Sequence, residues 1–316
     1  MRLGEFPEPS AGAGQIVLAV HFAALNPADR YLAIGQYPAK PAFPHILGRD
    51  GVGTVVAVGE GVTDVKKGDV RVILRGETGV NKPGTLAERV AVDAAYTVPV
   101  PAGWRLEQAA AAPLVYVTAW QALTQWGELP REAVVLVTGA SGGVGVATTQ
   151  LASALGYTVI GLSRSVEKSA RLRELGAAHT FDPAETRWRD QLKAALGARR
   201  VDLAVDNVGG EGFNQMLEVM GMFGRISVVG RLAGPVPQFN TAALFFRRLK
   251  IGGVAIATYT LEESLAAWRA VLATLETKVG DEGRPLIDEV FEMEAVPAAF
   301  KRLAAGPMGK VIVRIG

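Results

Sequence analysis

The chain has 316 residues, 49% of them hydrophobic and 20% charged, enough apolar side chain to fill the cores of two domains at about 150 residues each and too much for a disordered polymer. Lys and Arg number 33 against 31 Asp and Glu, a net charge of +2 with no block of like charge, so no nucleic-acid or membrane-surface footprint is legible. Cysteine is absent, which excludes disulfides, Fe–S clusters, Cys-zinc sites and thiol catalysis.

In chain order, the first fifteen residues carry no long apolar run and do not read as a signal peptide. No later stretch approaches the ~20 apolar residues of a membrane span, so a cytoplasmic location is expected. From residue 1 to 112, short β-like runs alternate with Gly and Pro, as at 15–20, 52–58 and 69–74, and predict a compact, partly open β domain. From 113 to 258 the pattern becomes strand, glycines, helix, strand, repeated, which predicts βαβ units on a parallel sheet. Strands are expected at 134–137, 158–162, 202–205, 225–229 and 251–257, with helices at 144–155 and 166–175 and a helix stop at Gly176. The tail reads as a helix (262–279), a strand (286–291), a helix (294–304) with Pro297 in its first turn, and a last strand (310–315).

The most informative segment runs from Val134 through Thr138-Gly139-Ala140-Ser141-Gly142-Gly143-Val144-Gly145. A tight turn between a buried strand and a helix start exposes backbone N–H groups and a positive dipole end to a phosphate. Gly142 permits close approach of a pyrophosphate and Gly145 permits close helix–strand packing, while Ala140 stands at the first glycine position of G-x-G-x-x-G; a dinucleotide site follows. Two rival readings fail on the remaining residues. The nucleophile elbow G-x-S-x-G is matched around Ser141, but the sole later histidine is His179 and no Asp lies between them, so a hydrolase triad cannot be assembled in order. The short-chain dehydrogenase loop is also similar, yet about 137 residues precede it and no Tyr is followed by Lys at the fourth position.

The second strand of this unit ends Ser163-Arg164-Ser165, with no acid before Glu167. A carboxylate there would hold a ribose 2′-OH, whereas Arg164, with Lys168 in support, grips a 2′-phosphate; the expected cofactor is NADPH.

The segments Asn26-Pro-Ala-Asp-Arg-Tyr31 through Gly35-Gln-Tyr37, Gly48-Arg49-Asp50 through Gly59, Gly68-Asp69-Val-Arg-Val72, Asp206-Asn-Val-Gly-Gly210 and Gly309-Lys310 resemble the zinc-independent medium-chain dehydrogenase/reductases, specifically the quinone oxidoreductase, zeta-crystallin-like group. The resemblance implies an α/β protein: a GroES-like, partly open β-barrel catalytic domain formed by 1–112 and 259–316, and an inserted Rossmann domain, a doubly wound parallel sheet, over 113–258. Zinc alcohol dehydrogenases of the superfamily carry G-H-E where this chain has Gly48-Arg49-Asp50, and without cysteine that site cannot be built. The family usually begins with a strand and hairpin some twenty residues before a segment like Pro7-Glu-Pro9, so a missing N-terminal edge or a truncated start is expected.

The implied activity is metal-free hydride transfer from NADPH to a quinone or conjugated enone. Tyr31 is expected as the proton or hydrogen-bond donor to the acceptor oxygen, with Asn26 and Tyr37 beside it. Expected cofactor contacts are Thr118, Ala140, Ser141, Gly142, Gly143, Val144, Gly145, Ser163, Arg164, Lys168, Asn207 and Gly230. The alternatives are an enoyl-thioester reductase and a non-catalytic, crystallin-like NADPH-binding protein. A homodimer through the edge strand near 251–257 is also implied, with a small-molecule substrate and neither nucleic acid nor membrane as partner. His21, His45 and His179 are scattered and read as packed or solvated residues.

Overall fold

The computed structural model describes residues 3–235, 238–278 and 280–316. The elements begin with β1 (Gln15–Ala24), α1 (Pro27–Ala33), β2 (Asp50–Val58), β3 (Val70–Ile73), β4 (Arg89–Asp93), β5 (Thr97–Pro99), α2 (Leu106–Ala111) and α3 (Pro113–Thr124). They continue with β6 (Val134–Val137), α4 (Gly143–Ala154), β7 (Thr158–Leu162), α5 (Val166–Glu174), β8 (Ala177–Phe181), α6 (Trp188–Leu196), β9 (Val201–Asp206), α7 (Gly212–Leu217) and β10 (Met220–Val228). The last are α8 (Ala242–Arg247), β11 (Lys250–Gly253), α9 (Leu261–Leu275), β12 (Ile287–Glu292), α10 (Val296–Ala304) and β13 (Lys310–Arg314).

The chain divides into two compact units: residues 1–115, 259–266 and 285–316 form the first, and 116–258 with 267–284 the second. The tail expected wholly with the first unit is therefore split. Residues 267–284 group with the second, and Ala267, Trp268, Val271 and Leu275 along one face of α9 are buried.

The first unit is built on a seven-stranded sheet in the order β12-β13-β1-β2-β3-β5, with β4 also paired to β1. Its pairings are antiparallel except β12 with β13. Ile16, Leu18 and Val20, two residues apart on β1, fall on one face and pack with Val55, Ile73, Val90 and Val92. A second cluster of Leu25, Phe300, Val311 and Val313 seats α10 on β13. The C-terminal end of β1 and the strand at 310–314 are thus neighbours, and Leu25 N–H donates to Val311 O at 2.9 Å.

The second unit is a six-stranded parallel sheet in the order β11-β10-β9-β6-β7-β8. All four side chains of β6 are buried, as a strand covered on both faces requires. Starting from β6, one neighbour series runs to β7 and β8 and the other to β9, β10 and β11. The chain therefore reverses direction of winding between β6 and β9, and the crevice at their carboxyl ends is the switch point of a doubly wound fold.

Several elements differ from their expected extents. The strand expected over 251–257 stops at Gly253, after which Ile256–Thr258 make a single 3₁₀ turn. The helix expected from 262 ends at Leu275, and residue 279, within that expectation, lies outside the described residues. No helix among the described residues is long and apolar enough to cross a membrane.

Candidate active site

In the second unit the turn after β6 is held by short-range backbone geometry. Gly139 has φ +57°, and a Cβ there would meet Val208 Cγ2 at 2.9 Å. Gly145 is more tightly constrained, since a Cβ would lie 2.4 Å from Gly139 O and 2.6 Å from Ala140 backbone. Gly142 caps α4 in an extended conformation, and Val146 N–H donates to its carbonyl at 2.8 Å. The N–H groups of Gly143, Val144 and Gly145 open the helix without partners within it, and Ser141, Gly142, Gly143 and Val144 are partly exposed. Ala140 is buried against Gly161, where a Cβ would come within 3.3 Å of the Ala140 methyl, and Ala140 N–H donates to Leu162 O. That contact ties the turn to the end of β7.

At that end Ser163 is buried, and Ser165 Oγ accepts from Lys168 N–H at 3.3 Å to cap α5. Arg164 is exposed and has no hydrogen-bond or ion-pair partner among the described residues. On the other side of β6, Thr138 Oγ1 donates to Asp206 Oδ1 at 2.6 Å and accepts from Asn207 N–H at 3.0 Å. Asp206 is buried, and its carboxylate also accepts from the N–H groups of Val208 and Gly209, so the β9 turn is folded around one negative charge. Asn207 Nδ2 donates to Thr138 O at 2.9 Å, leaving Asn207 Oδ1 buried with no partner among the described residues. Gly230 N–H donates to Asp206 O, and a Cβ on Gly230 would stand 2.7 Å from Asn207 O. The ends of β6, β7, β9 and β10 are thus brought together around the helix start, while Thr118 sits half-buried on α3.

In the first unit, α1 starts at Pro27, with Asp29 Oδ2 accepting from Asn26 N–H at 2.8 Å. Tyr31 on this helix is half-buried, and its phenol has no hydrogen-bond partner among the described residues. Asn26 behaves differently from the expected donor to an acceptor oxygen. Its Nδ2 donates to Asp50 Oδ2 (2.9 Å) and Ala24 O (3.3 Å), and its Oδ1 accepts from Lys310 Nζ at 2.7 Å. Both donors of the amide are committed inside the protein, so its place is that of a brace between two buried charges. Lys310 Nζ also lies 3.2 Å from Asp50 Oδ2, an ion pair with both side chains almost fully buried.

Asp29 is fully buried, with Oδ1 unpartnered among the described residues, and desolvation pushes its carboxyl up to about 6; the Asn26 N–H bond and the Arg49 charge act in the opposite direction. Tyr37 is half-buried with Arg49 Nη1 donating to its phenol oxygen at 3.0 Å. Sequence reasoning placed Asp29, Arg49, Asp50 and Lys310 in family segments, and Thr138 and Asp206 beside the glycines, without giving any of them a part in the two sites. For the last pair the signal was present in the sequence: an Asp closing a strand just before Asn-Val-Gly-Gly.

Residues 12–102 match the alcohol dehydrogenase GroES-like domain family and residues 143–276 the zinc-binding dehydrogenase family. The quinone oxidoreductase of Rattus norvegicus is 30% identical over 309 residues, 96% of this chain and 90% of that protein. The chain belongs to the quinone oxidoreductase family of medium-chain dehydrogenase/reductases. Among solved structures, the quinone oxidoreductase of Thermus thermophilus, determined also in complex with NADPH, is similar to this chain with a TM-score of 0.81 at 31% identity, over 99% of this chain and 96% of that one. An NAD-dependent alcohol dehydrogenase is similar with a TM-score of 0.89 at 29% identity, over 99% and 95%. Within this family of quinone oxidoreductases, the zinc-binding description of the second domain does not carry over to a cysteine ligand set, because the sequence has no cysteine. Among the described residues, no group of three or more His, Asp or Glu is gathered as a metal site.

Proposed function

We propose that this chain is an NADPH-dependent reductase that delivers hydride to a quinone or a conjugated enone. The observation that carries the reading is the open helix start at Gly143–Gly145, with Arg164, exposed and unpaired among the described residues, at the end of the adjoining strand. The residues fit the cofactor. A Cβ on Gly142 would meet nothing nearer than 3.5 Å, so that face of the turn is free for a pyrophosphate, and the buried acceptor Asn207 Oδ1 awaits a donor.

In this reading Ser141 and the open N–H groups of Gly143, Val144 and Gly145 hold the pyrophosphate, while Ala140 and Gly142, expected as contacts, give their own N–H groups to Leu162 O and Gly139 O and instead shape the turn; Ser163, Arg164 and Lys168 hold the 2′-phosphate. Thr118, Asn207 and Gly230 border the nicotinamide half. Bound NADPH supplies the hydride. Tyr31, with its phenol uncommitted, donates a proton to the acceptor oxygen, with Tyr37 as a second donor, and Asn26 positions α1 by joining Asp50 to Lys310. Pairing of the edge strand β11, where Ile251 is exposed, with a second copy completes the reading as a homodimer.

The test is NADPH oxidation with 1,4-benzoquinone, a conjugated enone and an enoyl thioester, compared with Tyr31→Phe. The quinone or enone is expected to turn over, and Tyr31→Phe to lower kcat by about 10²–10⁴-fold with NADPH binding spared. Tight NADPH binding without turnover of any acceptor would refute a reductase, and turnover of the thioester alone would reassign the substrate.

A further inference from the structure

Arg49 is an unusual residue for its surroundings. It lies partly buried immediately before β2, next to the buried Asp50, yet it forms no ion pair among the described residues. Asp50 is engaged instead by Lys310 and Asn26. Asp29 takes a hydrogen bond from Asn26 N–H and feels Arg49 only as a charge at longer range. The guanidinium turns instead to Tyr37, donating through Nη1 to the phenol oxygen at 3.0 Å, with its Cζ 5.8 Å from the ring centroid. A phenol has one O–H to give and an oxygen that accepts. With that oxygen accepting from a cation, and with no acceptor for its own proton among the described residues, Tyr37 is left as a donor.

We propose that Arg49 is a positioning residue for the reduction, occupying the Tyr37 phenol oxygen so that the Tyr37 O–H is presented to the oxygen of the acceptor. The inference rests on the reductase reading for its substrate. In the step it serves, the acceptor is reduced by two electrons. It gains a hydride from the dihydronicotinamide, which is oxidised, and the displaced electron pair settles on the acceptor oxygen. A proton from a donor phenol completes the addition and is replaced from water. A positive charge one hydrogen bond behind the donor, in no ion pair among the described residues, stabilises the negative charge that develops on that oxygen.

The experiment uses the full chain as wild type, Arg49→Gln, Arg49→Lys, Tyr37→Phe and the double variant Arg49→Gln/Tyr37→Phe. Two readouts are taken: kcat and KM with NADPH and 1,4-benzoquinone, and binding of 4-nitrophenolate, a stable oxyanion, by calorimetry without cofactor. Arg49→Gln is expected to lower kcat and weaken 4-nitrophenolate about ten- to hundredfold, with KM for NADPH unchanged. Arg49→Lys should recover part of both. In the Tyr37→Phe background the Arg49→Gln change should cost less than about threefold, because the two residues act as one unit. An equal cost in both backgrounds, or no cost in either, overturns the proposal and leaves Arg49 as a loop brace. If the wild type does not reduce benzoquinone, the reductase reading fails, and the 4-nitrophenolate cycle still decides the Arg49–Tyr37 pair: no binding, or an equal loss in both backgrounds, overturns it.

Discussion

Asp29→Asn is expected to stabilise the protein at neutral pH. The Asp29 carboxyl is fully buried, one of its oxygens has no partner among the described residues, and desolvation raises its pKa from 3.8 to about 6. The folded protein therefore holds this proton more tightly than the unfolded chain does. The stability that this supplies is fully present below about pH 3.8 and is lost as the pH rises through about 6. A shift of about two units, at ~1.4 kcal/mol each, makes the loss about 3 kcal/mol. An asparagine stays neutral at every pH, and its Oδ1 can still accept the Asn26 N–H bond that Asp29 Oδ2 accepts at 2.8 Å. Urea unfolding between about pH 4 and 8 should then show Asp29→Asn more stable than wild type by about 3 kcal/mol above pH 6, with the gap closing toward pH 4. A variant less stable than wild type at pH 8, or an offset that does not change with pH, would refute the reasoning.

Lys310→Met removes the ammonium from Asp50 and leaves a buried carboxylate with the Asn26 amide alone. A loss of about 3–5 kcal/mol is expected in urea or thermal unfolding. Gly145→Ala drives a methyl to within 2.4 Å of Gly139 O, which should cost about 1–3 kcal/mol and abolish NADPH binding in a fluorescence titration. Arg164→Glu places a carboxylate where a 2′-phosphate is expected, and should raise KM for NADPH at least about ten- to hundredfold without raising that for NADH.

The nucleotide-binding half was largely legible because its signals are local. A buried Val-Val-Leu-Val strand, a glycine turn and a helix start occupy twelve consecutive residues, and the same steric rules that write Gly145 into the sequence reappear as a 2.4 Å approach. The end of β7 was legible for the same reason, since Ser163 and Arg164 directly follow a short apolar run, Thr158–Leu162. What sequence reasoning could not reach is built from distant parts. Asn26 reads as a turn initiator or a donor to substrate until it is seen joined to residues 24 and 284 positions away. Arg49 reads as a replaced histidine until Tyr37 is found in hydrogen-bond reach. The premature end of β11 at Gly253 and the passage of residues 267–284 to the second unit reflect tertiary packing that apolar runs alone do not encode.

The place of β13 between β12 and β1 also gives the molecule an order in time. Asp50 leaves the ribosome 260 residues before Lys310, and until then the first sheet lacks an interior strand and that carboxylate lacks its cation. The strands of the parallel sheet, from 134 to 253, all emerge within that interval. The second unit can therefore reach its native form during synthesis, whereas the first must wait, half-assembled, for residues 310–314 to arrive and close it.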